Sequence, residues 1–439
     1  MTDSVGSSAG RVAVVVGSGV GGLCTGARLT AEGWNVTLVE RLRRLGGRWS
    51  TIDVDGFKLP TGAFLIAADD PLAHTFYELG VDFEVRPLPE RTTYLVEGEL
   101  VETGDRGGLR ALIANAARHD GSDADTVMAA IKGALAGDSV CGEQFLPEWL
   151  SAAGAGSSVI AAVHALTQSF MGLNAKEVEA AAFFAYLVAT AGRGKHGIPP
   201  HGSRYLAEAL AEYITDNGGE VLTGRLVTQI LTEGGRVSGV EIRDGYRMEA
   251  DVVVSDLGIR ETARLLPSEL AGSLPGMETV RAAPGMTAFV VSPEPFLDHP
   301  AVVVTGTRCV CLVTTPTLVA PELAPSDWHY TELISTFPSS ADDSNPKAQR
   351  SRLMDDVDDL LPGWRDKGRL LHTATYRGAW PVYRAWPGDD PQERFPVPGL
   401  VLVGDSVKPG GWPGVGASAE GARLVAAGII VGQHQGVFS

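Results

Sequence analysis

The run Arg11-Val-Ala-Val-Val-Val-Gly17-Ser-Gly19-Val-Gly-Gly22, with Glu40 closing a second run at Val36-Thr-Leu-Val-Glu40, constrains the fold more than any other feature of the chain. Val12 to Val16 is an apolar stretch dominated by β-branched residues, the pattern of a parallel strand buried on both faces. The glycines fall where that strand must turn sharply into a helix. Gly17 permits the tight turn, Gly19 lets backbone N–H groups approach a pyrophosphate, and Gly22 lets the following helix lie close against the strand. Glu40, at the tip of the second strand, is placed to accept hydrogen bonds from a ribose diol. A lone Gly-x-Gly-x-x-Gly is weak. Here the preceding strand, the helix-compatible Leu23 to Glu32, Gly33 as a stop and the acidic residue at the right distance together specify a dinucleotide-binding βαβ unit.

That unit alone does not choose between NAD and FAD. Further along stand Arg41-Leu-Arg-Arg-Leu-Gly46-Gly47-Arg48 and, near the far end, Gly399-Leu-Val-Leu-Val-Gly404-Asp405-Ser406, followed by Pro409-Gly-Gly-Trp412-Pro-Gly414. With these motifs the chain resembles the flavin amine oxidase and phytoene desaturase superfamily of FAD-dependent oxidoreductases. The resemblance implies that Gly17, Gly19, Gly22, Glu40, Arg41, Gly46, Gly47, Arg48, Gly404 and Asp405 contact a non-covalent FAD, with Asp405 facing the ribityl phosphate region. It also implies that Val227 supplies a backbone clamp on the adenine. The motifs occur at both ends and in the middle, in the family's order, while about residues 75 to 195 and 275 to 395 carry no family signature. One motif departs from the carotenoid desaturases, whose Pro-Gly-Gly-Gly-x-Pro-Gly is here one residue shorter and carries Trp412, which argues against a carotenoid-sized substrate.

The implied fold is α/β: a Rossmann-like FAD-binding domain, made of a parallel sheet plus a β-meander, with an interleaved α+β substrate domain. The expected FAD-binding pieces are residues 1–70, 197–275 and 396–439, and the substrate-binding pieces 71–196 and 276–395. Within them, Gly56 to Phe64 reads as a strand whose Thr61-Gly62 end returns under the flavin, and Pro71 to Gly80 as a helix. Phe83 to Val101 reads as a hairpin turning at Glu97-Gly98-Glu99, and Leu109 to about Thr190 as a helical block. Ser203 begins a helix as its N-cap candidate. Glu220 to Gln229, Gly239 to Arg243 and Arg247 to Ser255 read as strands. So do Thr287 to Ser292, Ala301 to Thr305, Arg308 to Thr314 and His329 to Thr336.

Composition excludes several function classes. The net charge of −17 disfavours nucleic acid as a partner and leaves a small molecule as the substrate class. Cys24, Cys141, Cys309 and Cys311 have no metal or redox spacing and read as reduced thiols of a cytoplasmic protein. No metal site is expected; the acidic helix Ser344 to Leu361 reads as a solvated face. The N-terminal decapeptide has neither a basic nor an apolar region and reads as a polar leader, and no stretch reads as a transmembrane span. A homodimer is compatible with this reading.

In the superfamily the flavin accepts a hydride at N5 and the protein supplies position and electrostatics. Amine oxidases commonly hold a lysine on a substrate-domain strand. The corresponding Met286 to Ser292 has none. The catalytic candidates are Lys408, Trp412 and His201. Lys408 is suited to stabilising charge on reduced flavin or holding a carboxylate, or else is a solvent-facing loop lysine. His201, beside the run Arg193-Gly-Lys195-His196, is suited to a base, or else is a satisfied loop residue. Of the aromatic residues Trp149, Phe170, Phe183, Phe184, Tyr186, Trp380, Tyr383, Trp386 and Trp412, Trp380 and Trp412 are singled out as pocket walls because they lie on glycine- and proline-rich loops. Three functions compete. The leading one desaturates or oxidises a small, largely apolar metabolite, in specialised metabolism, with oxygen or another electron acceptor. The second is a saturase that reduces a C=C bond. The third is a non-catalytic binder of the Rab GDP-dissociation inhibitor type. Only one nucleotide fingerprint is visible, since Gly218-Gly219 and Gly234-Gly235 open no phosphate-binding helix, so no second site for NADPH is expected.

Overall fold

A computed structural model describes residues 11–89, 92–103, 108–137, 141–191, 196–339, 345–386, 389–391, 394–409, 412 and 414–433. The N-terminal decapeptide, Arg193 and Lys195, parts of the Pro387 to Pro396 loop, and Gly410, Gly411 and Pro413 of the last motif lie outside the described residues.

Val12–Val16 lies at the centre of a five-stranded parallel sheet, between Asn35–Glu40 and Val252–Ser255, with Glu220–Thr223 and Leu400–Leu402 at the two edges. Its side chains alternate, as a strand's must. Ala13 and Val15 pack with Leu23, Leu206, Leu210 and Val425 of the covering helices, whereas Val14 and Val16 pack with Val227, Ile230, Val237 and Val240 of a three-stranded antiparallel meander. Burial on both faces explains why the strand reads as an uninterrupted apolar run. The meander comprises Val227–Glu233, Arg236–Ile242 and Arg247–Glu249. The stretch read as one strand from Glu220 to Gln229 is therefore two, split by a turn at Gly224, one half in each sheet.

A seven-stranded sheet stands beyond, in the order Arg369–Tyr376, Gly285–Ser292, His329–Thr336, Val310–Thr314, Ala301–Val304, Thr92–Val96 and Glu99–Thr103. The last two form a hairpin turning at the expected place, through Glu97 and Gly98, both with positive φ, but its first arm begins at Thr92 and not at Phe83, since Arg86–Pro87 pairs with His196–Ile198 in another sheet. Arg369–Tyr376 was not singled out as a strand, because five of its eight positions are half-buried and its alternation is blurred. The helix Pro346–Leu360 covers one face of this sheet through Leu353 and Val357. Asp356 on that helix corrects the solvated-face reading. It is 1% exposed and accepts the backbone N–H groups of Arg308, Cys309 and Val310, tying helix to strand. The expected helical block is present as Gly108–Asp120, Ala124–Ala136, Leu146–Ala152, Ser157–Met171 and Ala180–Thr190. Ser203 is the first residue of Ser203–Asp216, not its cap; Gly202 holds the cap position and the Ser203 hydroxyl has no partner. Among the described residues no helix is long and apolar enough to cross a membrane.

Candidate active site

A cavity of about 750 Å³ runs from the carboxyl ends of the parallel strands to the inner wall of the seven-stranded sheet. In open α/β sheets ligands bind outside the carboxyl ends of the strands, and here the loops after all three central strands open into it. Gly17, Gly19, Glu40, Arg41, Gly46, Gly47, Arg48, Val227, Asp405 and Trp412 line it. Gly22 and Gly404 do not line it. They act one layer behind: a Cβ on Gly22 would meet the Gly17 carbonyl oxygen at 2.1 Å, and one on Gly404 would meet Asp256 Oδ1 at 2.0 Å.

The turn is shaped to receive a group. A Cβ at Gly19 would lie 2.3 Å from Asp256 Oδ2, a buried oxygen with no hydrogen-bond partner, and the backbone at Gly17 has φ +102°, which side chains rarely adopt. Glu40 is 6% exposed and is engaged within the protein. Its carboxylate accepts from Ser18 N–H at 3.0 Å, Ser18 Oγ at 2.7 Å and Leu42 N–H at 2.8 Å, which pins the glycine turn to the second strand. Thr61 Oγ1 donates to the Gly47 carbonyl, and Gly62 lies so close beneath the Arg48 carbonyl that a Cβ would approach to 2.3 Å. These glycines and the unpartnered Asp256 oxygen leave a polar, narrow cradle that fits a dinucleotide; the Gly17 to Gly22 turn, Glu40 and Arg41 would hold its adenosine and pyrophosphate side, and Arg48 and Gly62 the side facing the second sheet.

Behind that cradle sits a group of charges. Both oxygens of Asp405 accept from Arg48, at 2.8 and 2.7 Å, and Oδ2 also accepts the Arg384 backbone N–H at 2.8 Å. Burial alone would raise the Asp405 carboxyl, but the Arg48 and Arg384 guanidiniums hold it well below the usual carboxylate range. Asp405 thus fixes Arg48, which also donates to the carbonyls of Pro381 and Val382. Asp256 differs: burial pushes it up to about 7, against the nearby Arg384.

Two candidates are corrected. The Lys408 ammonium is fully buried and lies outside the cavity lining, donating to the carbonyls of Ala385 and Asp405 and pairing with Asp390 at 2.5 Å. It braces the loop that carries Asp405 and cannot meet a substrate. His201 is exposed, edge-on to Tyr205 with ring centroids 5.4 Å apart, outside the cavity lining. Trp149, Phe183, Phe184 and Trp386 are core, whereas Phe170, Tyr186, Trp380, Tyr383 and Trp412 line the cavity. Arg44 lies over the Trp380 ring at 5.5 Å. Sequence reasoning missed Asp256, Arg384, Glu332 and Tyr376, all of which line the cavity. Asp256 had a usable signal, since it directly follows the strand Val252–Ser255 as Gly17 follows the first.

The sequence profile of the flavin containing amine oxidoreductase family matches residues 20–430. An uncharacterized protein of Methanocaldococcus jannaschii is 25% identical over 419 residues, covering 93% of this chain and 96% of its own. The neurosporene-forming phytoene desaturase of Rhodobacter capsulatus is 28% identical over 285 residues, 58% of this chain and 54% of that protein. The crystal structure of an oxidoreductase from Methanosarcina mazei superposes with a TM-score of 0.82 at 25% identity, covering 95% of this chain and 100% of the other. With the family's profile matching across nearly the whole chain, the protein belongs to the flavin containing amine oxidoreductase family and is a flavin oxidoreductase enzyme.

Proposed function

We propose that the protein binds FAD non-covalently and oxidises or desaturates a small, largely apolar organic metabolite, passing the electrons on to oxygen or another acceptor. The observation that carries this reading is the continuity of one cavity from the glycine turn, past Arg48 and Gly62, to a wall of Phe170, Tyr186, Leu312, Ile334 and Tyr376. Bound flavin supplies a hydride acceptor. The chain's own residues do the rest. The Glu40-pinned turn presents backbone N–H groups, Arg48 places a fixed positive charge, and Trp380, Tyr383 and Trp412 exclude water from the space between the two sheets. Non-covalent attachment is supported by the cysteines: none of the four lines the cavity, and burial pushes the Cys24 thiol up to about 12, which leaves no thiolate to attack. Gly218-Gly219 follows the end of Ser203–Asp216 and Gly234-Gly235 turns the meander, so neither pair opens a phosphate-binding helix.

The test begins with colour. The purified protein is expected to be yellow and to release FAD, not FMN, on denaturation, and to stay oxidised when mixed anaerobically with NADPH alone. A colourless protein that takes up no FAD overturns the cofactor, and rapid bleaching by NADPH overturns the oxidative direction in favour of a saturase.

A further inference from the structure

Glu332 lies in the middle of the strand His329–Thr336, is 2% exposed, and lines the cavity on the wall opposite the glycine turn. A buried carboxyl is costly unless partnered. The hydrogen bond it receives within the protein is a long one, from Thr314 Oγ1 at 3.3 Å. Its neighbours across the ladder are Phe289 and Thr314, and neither adjoining strand carries a lysine or arginine. The titratable groups around it are Tyr330 on its own strand, Tyr376 from the sheet edge, and His372 beyond Phe289; His196 lines the cavity from the facing side. Burial pushes both phenols up and lowers the His196 imidazole, so neither the phenols nor that ring supplies a positive charge to offset an ionised Glu332. Burial likewise pushes Glu332 up to about 8, with the Thr314 hydroxyl opposing. Burial among neutral groups thus favours the protonated carboxyl, which is a donor as well as an acceptor.

The same wall carries Thr287, Ser335 and Thr336, so polar groups there are neutral hydroxyls set among apolar side chains. A cationic substrate would force two desolvated charges together, whereas a neutral oxygen needs only one hydrogen bond. We propose that Glu332 is the substrate anchor of this cavity, its carboxyl donating to a hydroxyl or carbonyl oxygen of an otherwise apolar substrate and so setting which end of that molecule enters first. This rests on the reading of the cavity as a joint flavin and substrate site. The substrate class is thereby narrowed to otherwise apolar molecules that carry a neutral hydroxyl or carbonyl oxygen.

The test uses the FAD-loaded protein and its Glu332→Gln and Glu332→Leu variants, titrated with cyclohexanone, cyclohexanol and cyclohexylamine while the visible flavin band is followed. The ketone or the alcohol is expected to perturb the wild-type flavin at neutral pH. Gln, which keeps a donor, holds its affinity within about threefold, and Leu loses about tenfold, the size of one net hydrogen bond. Wild-type affinity falls between about pH 7 and 9 as the acid ionises, and the Gln variant stays level. The proposal is overturned if cyclohexylamine binds more tightly than both oxygen compounds and Gln abolishes it. It is equally overturned if Leu binds the probes as wild type does, or if no probe perturbs the wild-type flavin. Flavin content separates the failures: absence of FAD refutes the cofactor reading, and full loading with unaltered affinities refutes the anchor alone.

Discussion

Asp256 and Asp405 lie within one charge cluster yet are driven in opposite directions. Asp405 receives three guanidinium hydrogen bonds, two from Arg48 and a long one from Arg384, and is held ionised; Asp256 has an oxygen with no partner and is raised to about 7 by burial, with Arg384 and Arg48 opposing and Asp405 reinforcing. The consequence for stability has a definite sign. In the unfolded chain Asp256 ionises near 4, so as pH climbs from about 4 to about 7 the unfolded state releases a proton that the folded state keeps, and the folded state loses stability. A shift of about three units corresponds to an upper bound of roughly 4 kcal/mol. Asp405 contributes the reverse, stability present above about pH 4 and lost as the solution is acidified. Thermal unfolding of the flavin-free protein should therefore show a smaller drop in midpoint between about pH 5 and 8 for Asp256→Asn than for wild type. Equal drops in the two proteins would place the ionisation elsewhere.

Local rules shape the elements, and where the signal was local it was legible in the sequence. Asp70 precedes Pro71, and in the structure its carboxylate accepts the N–H groups of Leu72 and Ala73, the cap that starts Pro71–Leu79, with Gly80 in the left-handed conformation at the other end. The glycine turn is legible for the same reason: each glycine answers a steric demand within a few residues. Gly19 is the sharpest case, because its missing side chain is replaced in space by the Asp256 carboxylate and by the approach to the cradle. Gly19→Val should weaken FAD binding by at least about a hundredfold, near 2.7 kcal/mol, while far-ultraviolet circular dichroism remains that of the folded protein. Equilibrium dialysis with FAD decides it; retained affinity would move the pyrophosphate away from this turn.

At the scale of the whole molecule, residues Arg377 to Trp386 leave the edge of the seven-stranded sheet and pass along the loop after the last parallel strand. Lys408 fastens that passage. Its ammonium reaches the Ala385 carbonyl, Asp390 and the Asp405 carbonyl, and lies 5.6 Å over the Tyr383 ring. Removing one member of a buried ion pair leaves the other charge unpaired, typically at a cost of about 3–5 kcal/mol. Lys408→Met should accordingly lower the unfolding midpoint strongly, and the double change Lys408→Met with Asp390→Leu should recover part of the loss. Denaturant titration of the three proteins checks this, and a double variant as unstable as the single one would show that the carbonyl contacts dominate.

The sequence by itself determined the nucleotide turn, the parallel strand beneath it, the acidic residue at the tip of the second strand and the order of the later flavin motifs. Each depends on sterics and hydrogen bonding within a span of a few residues, so the information is written contiguously. Only the tertiary structure decided which side chains face the cavity. Lys408 and Glu332 are both buried charged residues, yet the first pairs with a carboxylate eighteen positions away in the chain, and the second stands on a wall built from strands that meet through long-range pairing. His201 and Trp412 both sit beside glycine and proline, and the chain's path alone puts one in solvent and the other on the cavity. Burial and partnership are properties of assembled elements, and no local pattern carries them.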